Sequence, residues 1–273
     1  MKKIFKNSFI ALAAVFAFTA CTEEVDYTPA EPSKVDNTQF YFNREQATSA
    51  VLDLTETQYK VYIERVNAET EETINLIANV DEDIFTVPQS VTFAAGETTA
   101  EIVVSINEKM EPFVEYDIEI SIPEEFINPY KQDNNSILTV QLLKEDYVPY
   151  AKAIYTWNFL GIQYYQDIQY SEILGAYRMV APWSTPASAY VAAGYGAEQG
   201  EDVVFFINEE TGAITLQKTA LLSGLIHPSY GSVTANFEIG AVQEGVLLFQ
   251  YKWTVSAGSF GSYVDQVQIV ELY

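Results

Sequence analysis

Residues 115–122 read Glu-Tyr-Asp-Ile-Glu-Ile-Ser-Ile, with polar and apolar side chains taking strict turns. A repeat of two places one set on each face of an extended chain, the pattern of a strand with one face buried and one wet. Ile74, Leu76, Ala78 and Val80 alternate with Thr73, Asn75, Ile77 and Asn79 in the same way. Segments of this kind recur from Thr38 to Leu143 with no convincing helical period among them. About seven strands over roughly 105 residues predict a two-sheet antiparallel sandwich. Thr92 to Thr98 reads as a tight turn between two such runs, Gly96 supplying the positive φ that a tight connection needs.

Residues 144–152, Lys-Glu-Asp-Tyr-Val-Pro-Tyr-Ala-Lys, interrupt the alternation with charge and Pro149. We place a boundary there, giving a first domain over 38–147 and a second over 148–273. In the second, Val203–Ile207 and Ala213–Gln217 flank Asn208-Glu209-Glu210-Thr211-Gly212 as a hairpin. Gly245 precedes a long apolar run, Val246 to Val255, and Tyr263 to Leu272 alternates again. Thr219 to Leu225 reads as one or two turns of helix. The fold class is therefore all-β: an immunoglobulin-like sandwich, then a second antiparallel sandwich or barrel-like domain.

The start of the chain is different in kind. Lys2, Lys3 and Lys6 precede the apolar run Ser-Phe-Ile-Ala-Leu-Ala-Ala-Val-Phe-Ala-Phe-Thr-Ala, the layout of a secretory signal peptide. Its 13 apolar-run residues fall short of the ~20 that a permanent membrane helix needs. The lone cysteine, Cys21, comes next. Phe18-Thr19-Ala20-Cys21 resembles a bacterial lipobox, which implies that residues 1–20 are removed and Cys21 carries lipid. Acyl chains then hold the protein on a membrane without a spanning helix. Thr22-Glu23-Glu24-Val25-Asp26 resembles the acidic tract that directs Bacteroidetes-type lipoproteins to the outer face of the outer membrane. It reads equally as the start of a solvated tether over 21–37, stiffened further along by Pro29 and Pro32.

Two further resemblances concern the folded part. Val-Pro-Gln-Ser-Val-Thr-Phe-Ala-Ala-Gly-Glu-Thr-Thr-Ala-Glu-Ile-Val-Val-Ser-Ile, residues 87–106, resembles the central hairpin of Calx-β-like, immunoglobulin-type modules. Such modules often open Bacteroidetes surface lipoproteins. The second half, with Gly175 to Trp183, is similar to the β-rich C-terminal domain of the same lipoproteins. Calcium-binding Calx-β domains end in an acidic run, where this chain has Lys144-Glu145-Asp146. No cofactor is implied.

Charge narrows the partners. The chain carries a net charge of −24, and removing residues 1–20 takes away three lysines and no acid. Such a field repels phosphate backbones, so nucleic acid is disfavoured as a partner. The catalytic vocabulary is thin. His227 is the single histidine and reads as a loop residue beside Pro228, and no Gly-x-Ser-x-Gly elbow is present. One histidine and one cysteine cannot supply a typical zinc tetrahedron. Asp81-Glu82-Asp83 reads either as oxygen ligands for calcium or as an exposed acidic loop before Phe85.

Aromatics remain. Tyr155 and Trp157 share a strand face with Phe159, which we read as core at Trp157; Tyr164, Tyr165 and Tyr170 come after them. Trp183, Tyr190 and Tyr195 lie in a loop-rich stretch broken by Pro182 and Pro186, the context in which binding rings tend to sit. Tyr and Trp rings stack on sugar faces while their polar tips bond at the rim. Three functions compete: non-catalytic capture of polysaccharide at the cell surface, structural or adhesive contact with other surface proteins, and hydrolysis. The tentative ligand-binding residues are Trp183, Tyr190 and Tyr195, with no catalytic or metal-binding residue assigned.

Overall fold

The computed structural model describes residues 38–127, 135–184, 191 and 193–273. Cys21, the signal segment, the tether and Tyr190 lie outside the described residues. Among the described residues ten strands come first, starting with β1 (Phe40–Phe42), β2 (Ser49–Asp53), β3 (Gln58–Arg65), β4 (Glu72–Asn75) and β5 (Ile77–Asn79). The others are β6 (Phe85–Thr86), β7 (Ser90–Phe93), β8 (Thr99–Ile106), β9 (Glu115–Ser121) and β10 (Ile137–Glu145). Two four-stranded sheets, ordered β1-β3-β8-β6 and β2-β10-β9-β5, form the sandwich, and β4 with β7 makes a separate ribbon. The pairings are antiparallel except β2 with β10, which run parallel from Ser49↔Gln141 to Asp53↔Glu145.

Alternation does what it predicts. Val61 and Ile63 of β3, Ile102 and Val104 of β8, Ile118 and Ile120 of β9, and Val140 and Leu142 of β10 meet in one core. Each such side chain contributes ~1.5–3 kcal/mol on burial. Arg65 ends β3 inside this core, where its guanidinium donates to three backbone carbonyls, Glu97, Thr70 and Ala94, at 2.7–2.8 Å. It thereby pins the turn around Gly96, whose φ is 88°, and lies 5.0 Å above the Phe93 ring.

Two sequence expectations are corrected. Residues 73–80 do not form one strand: the chain breaks at Leu76, β4 pairing with β7 and β5 with β9. The alternation survives the break: Ile74 is core with Leu76 and Val80 packed against it, and Ile77 stays on the wet face, while Ala78, expected inward, is exposed. The 87–106 segment is likewise no hydrogen-bonded hairpin. β7 pairs with β4, while β8 pairs with β3 and β6, so the Gly96 turn crosses between sheets.

Ten more strands come after the sandwich: β11 (Val148–Trp157), β12 (Ile162–Ser171), β13 (Ala176–Met179), β14 (Gly196–Ala197) and β15 (Val203–Ile207). The last are β16 (Ala213–Leu216), β17 (Ala220–His227), β18 (Gly231–Gln243), β19 (Val246–Val255) and β20 (Gly258–Leu272). Their sheet order is β14-β17-β18-β16-β15-β13-β12-β11-β20-β19, and an additional β18–β19 pairing closes it. The result is an eight-stranded barrel-like sheet with β17 and β14 as a side extension. Strand β18 makes this possible by its length. One edge pairs with β19 from Thr234 to Gln243, while the other serves β17 with its first half and β16 with its second. Of residues 219–225, expected as helix, all but Thr219 instead enter β17, because β18 offers a bare edge that a short isolated helix cannot match. A bulge between Leu222 and Ile226 contains Gly224, at φ 83°. A Cβ there would lie 2.5 Å from Ser184 Oγ.

The barrel has its own core, separate from that of the sandwich. Between them run two residues, Asp146 and Tyr147, and both are held. Asp146 accepts the backbone N–H of Ile173 at 2.9 Å and the Ser171 hydroxyl at 2.5 Å. The Tyr147 ring carries the Arg178 guanidinium 3.8 Å above it and meets Phe113 edge-on. Arg178 also pairs with Glu145 at 2.6 Å.

Candidate functional site

Three turns emerge at one rim of the barrel: after β11, between β17 and β18, and between β19 and β20. The strands that bound them, β11, β20, β19, β18 and β17, are consecutive neighbours in the sheet, so the turns form one arc. Tyr195, just ahead of β14, joins the same rim because Gly196 pairs with Ile226 of β17. The side chains that the rim gathers are aromatic: Phe159, Tyr195, His227, Tyr230, Phe260 and Tyr263.

Their contacts form a connected series. Phe159 stacks on the buried Trp253 with centroids 4.7 Å apart and planes 9° apart. Phe260 lies 5.5 Å from Phe159, and His227 lies 5.6 Å from Phe260. Tyr230 stacks on His227 at 4.7 Å and 24°. Tyr195 meets His227 nearly at right angles, as Tyr263 meets Phe159. Such offset and edge-on arrangements are the ones that ring quadrupoles favour. Tyr230, 48% exposed, is the outermost member. His227 Nδ1 accepts the Ser229 backbone N–H at 3.1 Å, which leaves the ring proton of the neutral imidazole on Nε2 as a donor.

Beneath the rim the ring contacts continue inward. Trp253 touches Trp157 and Trp183, and Trp183 meets Tyr251 edge-on at 5.2 Å. Trp183 Nε1 donates to the Tyr155 hydroxyl, which donates in turn to Asp265 Oδ2, both at 2.9 Å. Asp265 Oδ1 accepts the Asn158 backbone N–H, also at 2.9 Å. Asp265 is fully buried. Burial pushes its carboxyl up from 3.8 to about 7, against the hydrogen bonds from Tyr155, Asn158 and Trp183 that favour the charged form. The same burial drives the Tyr155 and Tyr251 hydroxyls far above their ordinary range.

The expected site residues therefore part company. Trp157 is core, as its strand face suggests. Trp183, expected as a surface ring, is fully buried and is corrected here. Its loop context holds, since Pro182–Ser184 is a single 3-10 turn. What the sequence does not show is that the turn points into the barrel, where Tyr155 awaits its indole N–H. Tyr195 sits half-buried in the rim cluster, its hydroxyl raised mainly by burial. Tyr190 lies outside the described residues.

From the sequence His227 is a bland loop residue, and Tyr230, Phe260 and Tyr263 do not stand out at all. A signal for two of them exists. Ser229-Tyr230-Gly231-Ser232 and Ser259-Phe260-Gly261-Ser262 repeat one pattern, and both glycines have positive φ, 77° and 101°. A positive-φ glycine turns the chain sharply beside the aromatic residue.

Among the described residues the other candidate chemistry is not assembled. The carboxylate of Asp81 accepts the Asp83 N–H, and Asp83 pairs with Lys109 at 3.3 Å. Among the described residues no group of three metal-binding side chains comes together. His227 meets a serine through that residue's backbone N–H rather than its hydroxyl. A groove of about 570 Å³ beside Glu201 and Asp202 is lined without aromatics, and Lys218 there is engaged by Glu201.

No protein-family model matches the chain, and no curated protein does. Solved structures do resemble it. A protein of unknown function from Bacteroides ovatus aligns over 84% of this chain and 89% of its own, at 7% identity and a TM-score of 0.37. An auxiliary nutrient binding protein from Bacteroides thetaiotaomicron aligns over 82% and 90%, at 10% identity and a TM-score of 0.30. The apo form of the Calx CBD1 domain aligns over 40% of this chain and 98% of its own, at 14% identity and a TM-score of 0.30. At these values none assigns a ligand or an activity to this chain.

Proposed function

We propose that this protein is a non-catalytic, lipid-anchored cell-surface module that captures carbohydrate on the aromatic rim of its barrel. The observation that carries the reading is the run of ring contacts from buried Trp253 to half-exposed Tyr230. A self-supporting cluster of this kind holds its outer ring rigid, so little freedom is lost when a sugar face stacks on it. The residues in named roles are Tyr230 as the stacking face, His227 as the ring that backs it, and Tyr195 as a flanking ring. Lipid on Cys21 and export to the outer membrane surface remain part of the proposal, supported by the sequence at 1–26.

Adhesion through strand addition has less to work with. The free edge of the barrel's extension is β14, two residues long, which offers few backbone groups to a partner. Hydrolysis lacks an assembled pair of groups at the rim among the described residues.

Affinity gel electrophoresis against neutral polysaccharides tests the reading. The expected result is retardation of the full chain by at least one polysaccharide, and its loss in Tyr230→Ala. Equal migration of both proteins in every gel would overturn it.

A further inference from the structure

Ring geometry also limits how much of a glycan the rim can hold. Rings lying side by side in one plane offer a broad platform to several sugars in a row. Here they are arranged differently. Tyr230 covers a face of His227 at 4.7 Å, a separation possible for nearly parallel rings only when one lies over the other. His227 is followed by Phe260, Phe260 by Phe159, and Phe159 by Trp253. Each inner ring thus spends its surface on its neighbours. Tyr195 and Tyr263 stand at 83° and 75° to the rings they touch, so they wall the cluster rather than extend a plane.

Charge limits the ligand as well. The whole sequence carries a net charge of −24, a field that disfavours an anionic sugar.

Resting on the carbohydrate reading above, we infer that the rim takes one uncharged sugar ring, stacked on the free face of Tyr230, and does not grip a polysaccharide along its length. His227 covers one face of Tyr230, and the residue as a whole is 48% exposed.

Titration of the full chain with neutral gluco-, manno- and xylo-oligosaccharides of one, two and six rings, followed by NMR, tests this. For whichever series binds, the dissociation constants for one, two and six rings should agree within about threefold. Tyr230→Phe should keep the affinity and Tyr230→Ala should weaken it at least tenfold. A tenfold or greater gain from one ring to two or six would overturn the single-ring inference and leave carbohydrate capture standing. Preferential binding of an oligouronate probe would overturn the uncharged-ligand part. Failure of every sugar to bind would remove the capture reading and this inference together.

Discussion

Replacing Asp265 with asparagine should flatten the pH dependence of this protein's stability between pH 5 and 8. The carboxyl releases its proton at about pH 7 in the folded barrel against 3.8 ordinarily, chiefly because it is buried. Between those values the folded state holds a proton that the unfolded chain has already lost. Stability therefore falls as pH rises, from full value below the unfolded pKa to a plateau above the folded one. At 1.36 kcal/mol per pH unit the whole interval is worth ~4 kcal/mol, and the part between pH 5 and 8 is ~2–3 kcal/mol. Asparagine does not titrate, yet its Oδ1 can still accept the Asn158 N–H that Asp265 Oδ1 accepts now. Urea unfolding at pH 5, 6, 7 and 8 would measure both proteins, with fluorescence of the buried tryptophans as the signal. Comparing slopes removes the contribution of every other acid. Parallel slopes within ~0.5 kcal/mol would show that Asp265 ionises in the barrel without penalty, and the burial account of its pKa would fail.

Removing Trp183 should cost ~3–5 kcal/mol in Trp183→Ala, because it vacates a fully enclosed site and strips Tyr155 of a donor. Tyr230→Ala, by contrast, should change stability by less than ~1 kcal/mol, since the ring is exposed; denaturant midpoints separate the two. Arg178→Met should cost ~3 kcal/mol by leaving Glu145 largely buried without its partner. The double variant with Glu145→Gln should recover part of that loss in a double-mutant cycle. Arg65→Met should cost a similar ~3 kcal/mol, as three carbonyls lose their shared donor. Amide exchange should then speed up first in the turn around Gly96.

Much of the strand content was legible because one-sided burial writes itself into alternation. Tyr116 to Ile122, Val203–Ile207 with Ala213, and the run from Val246 to Val255 all lie where the sequence put strands. Periodicity is a local property, and a single strand can express it. Which strands pair is not local. Residues 73–80 alternate without a break, yet the chain splits at Leu76 between two partners. Residues 219–225 extend because β18 supplies an edge, a fact that lies some ten residues downstream.

The site divides along the same line. Aromatic richness in the second half belongs to the sequence alone, and so do the strong negative charge and the lone Cys21. Whether a given ring stacks inward or faces water depends on which turns share a rim. That was fixed only when β18 paired with both β17 and β19. Closure buried Trp183 against Tyr251 and Trp253 while it brought Phe260 to His227, residues 33 positions apart. Burial is a collective outcome of sheet closure, so no stretch of chain carries it by itself.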